Sequence, residues 1–266
     1  MKKERGRKWD GKSRVSNDLY RKRWKDIFDK VTDDNAESVV HSKLSEEEEY
    51  LEELKKKLFT THNIPAEFRT AKSPYVGHCR NLLTAGFLHS DKDFLLFIDA
   101  DMQFGADAVF RMLAANYDIC CTPYRLKDAT LKESYPVSFK SYDKIDILPN
   151  GFVEITSGPT GLMMIHRSVF EKLKVENPDL QIKFPDEKKK NINAEIMGVE
   201  STGEDPASTE LWNFFDTSFE NNLFKGEDIA FCDLARKSGL KIFANIDSTT
   251  IHHGPYGYKG KFRDAL

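Results

Sequence analysis

The stretch Phe94–Phe104, FLLFIDADMQF, constrains the fold of this chain more than any other. Five apolar residues run without a break, the pattern of a strand buried on both faces. The run then ends on two aspartates separated by one alanine. A strand of that kind belongs inside a sheet covered by helices, and its tip is where open α/β sheets bind ligands. Its neighbours agree. A helix is expected around residues 76–88, a second over Gly105–Ala115, a short buried strand over Tyr117–Thr122, and a last helix over Asp228–Ser238 leading into a strand at Lys241–Asn245. Helices alternating with short apolar strands predict an α/β domain with a mostly parallel central sheet flanked by helices.

The rest of the chain adds periphery. With 39% hydrophobic and 31% charged residues, its 266 residues suffice for one sizeable domain with an appendage. Residues 1–35 form a basic N-terminal extension ahead of a domain spanning 36–266. Within the extension, Ser16 or Asn17 would cap a short helix carrying Tyr20, Trp24, Ile27 and Phe28. Residues 45–60 predict a helix, with Ser45 as cap, glutamates in the first turn and lysines in the last. Pro136–Glu154 predicts an antiparallel hairpin around Pro149-Asn150-Gly151, and 175–210 a long polar connection. No apolar run approaches the roughly 20 residues of a membrane span. The charged start is not a signal peptide, so a cytoplasmic location is expected. The four cysteines form no CxxC pair and read as reduced thiols. A net charge of −3 excludes a globally basic nucleic-acid binder, which leaves only the N-terminal arm for such a contact.

Four motifs carry chemistry. Asp99 and Asp101 at a strand end need a counter-charge, which a divalent cation bridging to phosphate supplies, or they are two surface aspartates capping the helix that starts at Gly105. Mn²⁺ or Mg²⁺ suits carboxylates with water and phosphate oxygens. Gly226-Glu227-Asp228 opens an amphipathic helix, where a carboxylate locked by packing can act as general base; the plain alternative is an N-cap. The same letters at Gly203-Glu204-Asp205 precede Pro206 and no such helix. His252 and His253, with Lys259 after them, lie in a Gly-rich segment that can close a metal shell or neutralise a diphosphate, or is a structural turn. Ser157–Ile165, with Gly158 and Gly161, lets backbone approach a ligand closely, or is a tight turn before a buried strand.

Taken together, these motifs resemble the GT-A fold glycosyltransferases, most nearly the bacterial and viral ones and more distantly fungal mannosyltransferases. The resemblance covers roughly residues 45–260, in the order Arg80-Asn81, LLFIDADM, Gly161, Gly226-Glu227-Asp228 and His253-Gly254. It implies a Rossmann-like GT-A fold and a UDP- or GDP-sugar donor bound through Arg80, Asn81, Asp99, Asp101, Gly161 and Lys259. The metal would rest on Asp101, with Asp99 toward the ribose or metal and His252 or His253 as a further ligand. Asp228 would be the base, with Glu227 beside it, and the sugar would be transferred, with inversion, to a hydroxyl of a glycan, lipid-linked or protein acceptor. In that family a strand gripping the nucleotide base precedes the first helix. Here Ser38-Val39-Val40 is the strand-like piece in that place. The competing expectations are a non-catalytic protein on a GT-A scaffold, docked to nucleic acid or an assembly through its basic N-terminus, and another phosphoryl-handling metalloenzyme such as a nucleotidyltransferase.

Overall fold

The apolar run becomes strand β1 (Phe94–Ile98), and the two aspartates become a turn. The Asp99 carbonyl accepts the Met102 amide at 3.0 Å, closing a four-residue turn in which aspartate is at home. Beyond it lies β2 (Met102–Phe104), which belongs to a different sheet. The DAD segment is therefore the corner at which the chain passes from one sheet into another.

The protein is described by a computed structural model covering residues 64–71, 73–128, 133–183 and 210–266. The basic segment 1–35, the helix expected over 45–60, the Ser38–Val40 piece and most of the polar connection lie outside these residues. Helix α1 (Val76–Leu88) precedes β1; α2 (Ala106–Ala115) and β3 (Ile119–Cys121) follow β2. Next come β4 (Phe152–Ile155), β5 (Leu162–His166), α3 (Arg167–Glu176) and the short strands β6 (Gln181–Ile182) and β7 (Leu211–Trp212). The hairpin β8 (Ser218–Glu220) and β9 (Leu223–Lys225) leads to α4 (Glu227–Lys237), β10 (Ile242–Asn245), β11 (Thr249–His253) and β12 (Gly257–Lys261). Among the described residues no helix is long and apolar enough to cross a membrane.

The α/β class is as expected, but the sheet is not mostly parallel. Its five strands are ordered β1-β5-β3-β10-β4, and only β3 and β10 pair in parallel. Strand β5 pairs antiparallel with both β1 and β3, and β4 pairs antiparallel with β10 at the other end of the sheet, two strands away from β5. Strand β5 starts opposite the tip of β1, Leu162 against Ile98, and runs back down it. The strands β1, β3 and β10 still point the same way, so their carboxyl ends share one edge.

Two local expectations also change. Strand β1 is the terminal strand of this sheet among the described residues, and only Phe97 in it is fully buried. The turn at Pro149-Asn150-Gly151 forms, with Gly151 donating to the Leu148 carbonyl at 2.9 Å. The two arms meet at isolated bridges, Ile147–Val153 and Ser138–Ser157, rather than along a continuous ladder, while β4 pairs along its whole length with β10.

Aromatic packing fixes the elements to one another. Phe97 of β1 meets Phe215 edge-on at 5.2 Å, and Phe215 stacks on Phe231 of α4 at 4.5 Å. Phe170 of α3 lies within 6.3 Å of Phe87, Phe214 and Phe231. Such pairs add about 0.5–1.5 kcal/mol each beyond area burial. Arg167, at the start of α3, donates to the carbonyls of Phe87, Leu88, Ser90 and Lys92, satisfying the end of α1. The tip of β1 and the start of α4 are thus held by one shared core.

Candidate functional site

Chain reversal brings the Gly-rich motif to the aspartates. Because β5 is antiparallel to β1, Gly161 lies at the tip of β1 and accepts the Asp99 amide at 2.9 Å. A Cβ on Gly161 would stand 2.8 Å from Asp99 Oδ2 and from the Tyr124 hydroxyl. Only a glycine admits both side chains there. The second sheet brings the histidine segment. Strand β11 pairs with β2, and the His253 amide donates to the Asp101 carbonyl at 2.8 Å.

Asp99 and Glu227 share one cation. Arg80 Nη2 donates to Asp99 Oδ1 at 3.1 Å, and Arg80 Nε to Glu227 Oε1 at 3.4 Å. The guanidinium lies over the Phe97 ring, 5.3 Å from its centroid, and Arg80 is buried. Its Nε and Nη2 are engaged within the protein, and through them it ties the strand tip to the start of α4.

Asp101 has different company. Lys127 donates to its Oδ2, and His252 Nε2 stands 3.4 Å from the same oxygen. Burial pushes the Asp101 carboxyl up. The Lys127 hydrogen bond and charge, with the charge of His252, outweigh that and hold it below its ordinary value. His252 Nδ1 lies 3.0 Å from the Arg125 carbonyl, which only accepts, so Nδ1 carries the proton. In the neutral ring this leaves the Nε2 lone pair facing Asp101.

That geometry tests the expected metal. Neighbouring ligands on an octahedral ion with bonds near 2.1 Å lie roughly 3 Å apart, close to the separation of Asp101 Oδ2 and His252 Nε2. A ligating imidazole usually donates its other nitrogen to a carbonyl or carboxylate, as His252 does. No group of three or more His, Cys, Asp and Glu forms a metal centre among the described residues. Asp101 and His252 would offer an ion two side-chain donors, with phosphate and water left to complete its shell.

Asp228 occupies the first turn of α4 and is half-buried, and it has no ion-pair partner among the described residues. Its carboxylate accepts the Ile229 amide at 2.7 Å, and its charge is felt at Tyr124. Burial, then the charges of Asp99 and Asp228, then that of Asp101, push the Tyr124 phenol far above its ordinary range, against the pull of Arg80. The Tyr124 ring also leans on His252 at 4.5 Å. Among the described residues Asp99 and Glu227 pair with Arg80, and Asp101 pairs with Lys127.

Three expected residues are placed elsewhere. Asn81 is buried and spends its amide on the Asn213 side chain at 2.8 Å and on the Phe215 amide at 2.9 Å. His253 reaches Gln103 at 2.8 Å. Adjacent residues of a strand face opposite ways, so His252 and His253 cannot both serve Asp101. Lys259 pairs with Ile251, which puts it on the outer face, away from His252. Conversely, Tyr124 and Lys127 escaped the sequence reading. They follow the carboxyl end of β3, the rule already applied to β1.

No family model matches the chain, and no curated protein matches it. Among solved structures it is similar to the crystal structure of A197 from STIV, at 20% identity and a TM-score of 0.40, over 74% of this chain and 77% of that one. Overlap at that level transfers neither fold family nor activity.

Proposed function

We propose that this protein is a metal-dependent glycosyltransferase of the GT-A type, moving a sugar from a UDP- or GDP-sugar to an acceptor hydroxyl with inversion. The observation that carries this reading is the approach of His252 Nε2 to Asp101 Oδ2 at 3.4 Å, at the tip of β1. Asp101 and His252 would hold Mn²⁺ or Mg²⁺, which when bound supplies positive charge against the departing diphosphate. The rest of the chemistry belongs to the chain. Asp228 accepts the proton of the acceptor hydroxyl, its backbone fixed by the packing of Phe231 behind it. Arg80 keeps Asp99 and Glu227 in place and thereby sets the spacing between strand tip and helix start. Tyr124 keeps its proton and presents a neutral donor beside Asp99.

The test is hydrolysis of a panel of UDP- and GDP-sugars in Mn²⁺ by the full chain. One donor is expected to turn over, and Asp101→Ala is expected to abolish that turnover with the circular dichroism unchanged. Equal turnover in Asp101→Ala overturns the reading.

A further inference from the structure

Lys127 and the expected metal claim the same oxygen. Lys127 donates to Asp101 Oδ2, and that atom is also the one facing His252 Nε2. An ion bound between Asp101 and His252 would therefore meet an ammonium already in place. Lys127 is an exposed residue whose path to Asp101 is shaped by a neighbouring glycine. Its stem passes over Gly254, where a Cβ would stand 3.1 Å from Lys127 Cδ. A side chain at 254 would crowd that path, which gives the glycine after the two histidines a role. The Lys127 side chain is about one-third exposed and that of Asp101 less than half, so the pair is reachable by solvent ions.

We propose that Lys127 is a resident cation that holds Asp101 while no metal is bound and is displaced from it by a divalent ion. This rests on the reading of Asp101 as the metal-holding carboxylate. The physical content is a competition. An ion entering the site must break the Lys127–Asp101 pair and then tolerate a positive charge nearby, and both lower its affinity. The exchange also frees an ammonium at the moment a negatively charged ligand can follow the metal. The site then never faces solvent with an uncompensated Asp101.

Mn²⁺ alone is the probe, titrated against the full chain with free Mn²⁺ read by electron paramagnetic resonance. Lys127→Met keeps the length of the side chain and removes the charge. It is expected to bind Mn²⁺ about fivefold or more tightly than the parent chain. Lys259→Met removes one charge from the outer face and is expected to leave the affinity within about twofold. Asp101→Asn is expected to lose binding. Unchanged or weaker affinity in Lys127→Met, with normal binding by the parent, overturns the exchange and leaves the metal reading standing. Equal tightening in Lys259→Met also overturns it, because the effect would then be general charge. Absence of Mn²⁺ binding in the parent and in Lys127→Met alike removes the metal reading and the exchange together.

Discussion

The two acidic pairs of this molecule, Asp99/Asp101 and Glu227/Asp228, look alike in the sequence and divide their labour the same way in space. One pair ends a strand, the other begins a helix. From each, the first residue turns inward to the buried Arg80, so that Asp99, Arg80 and Glu227 form a single tie. The second residue of each, Asp101 and Asp228, is left at the site. The pairs differ in what the second residue meets. Asp101 has Lys127 and His252 at the same oxygen, whereas Asp228 has no ion-pair partner among the described residues. A carboxylate ringed by a lysine and an imidazole suits exchange of cations. An unpaired carboxylate on a rigid helix start suits proton transfer.

The sharpest way to break this comparison is to neutralise the second residues. Asp228→Asn is expected to lower sugar-transfer turnover by about 10²–10⁴-fold, the usual contribution of a positioned base, with little change in thermal midpoint. Glu227→Gln is expected to do the reverse, costing about 1–2 kcal/mol of stability with a smaller loss of rate. Steady-state kinetics beside urea unfolding separates the two. If Glu227→Gln costs as much activity as Asp228→Asn at equal stability, the division of labour within that pair is wrong.

The next effect is on stability. Arg80→Leu leaves two partly buried carboxylates without their shared cation and is expected to cost about 3–5 kcal/mol in urea unfolding. Lys127→Met, at a more exposed pair, is expected to cost no more than about 1 kcal/mol. Adding Asp99→Asn to Arg80→Leu is expected to recover part of the loss, because the orphaned charge is then gone. Strict additivity of the two changes would mean that Arg80 acts through its packing on Phe97 rather than as a tie.

A smaller contrast divides the first pair itself. Asp101→Asn is expected to abolish Mn²⁺ binding, whereas Asp99→Asn keeps it within about threefold, because Asp99 faces Arg80 rather than His252. Isothermal titration with Mn²⁺ decides this. Equal losses would mean that both carboxylates ligate, as the DxD spacing alone implies.

Much of this arrangement was legible in local sequence. The apolar run marked β1, and Gly105 and the Gly226-Glu227-Asp228 cluster marked helix starts, because caps and first-turn acids act over a few residues. The direction of pairing was not legible. Leu162–His166 is as apolar in an antiparallel strand as in a parallel one, and its partners lie far away in the chain. The histidines were half legible. Read as lying past a strand, both are free to ligate, but β11 continues through His253, and alternation then turns that residue and Lys259 outward. Asn81 gave no local signal, since its partners Asn213 and Phe215 are more than 130 residues away.

The least of the expected effects is on acid stability, and it tests whether Asp101 is paired with Lys127 in solution. In the folded protein the Asp101 carboxyl is held below its ordinary value, burial being outweighed by Lys127 and His252. Unfolded, an aspartate titrates near roughly 3.9. A group depressed on folding contributes stability that is fully present above the unfolded value and is lost as pH falls through the folded one. Stability therefore falls on acidification for this reason among others. Asp247, held down by its hydrogen bond from Arg263 and by Arg111 and Lys261, titrates in the same region. The informative quantity is the difference between the parent and Asp101→Asn, in which Asp247 cancels. That difference is expected to be constant from about pH 5 to 7 and to close as pH drops below roughly 4. Lys127→Met is expected to close the gap in the same window, since it removes the same partner from the other side. A difference that stays constant down to acid unfolding would show that Asp101 gains nothing from Lys127 or His252 in the folded chain, and the contrast between the two second residues would then fall.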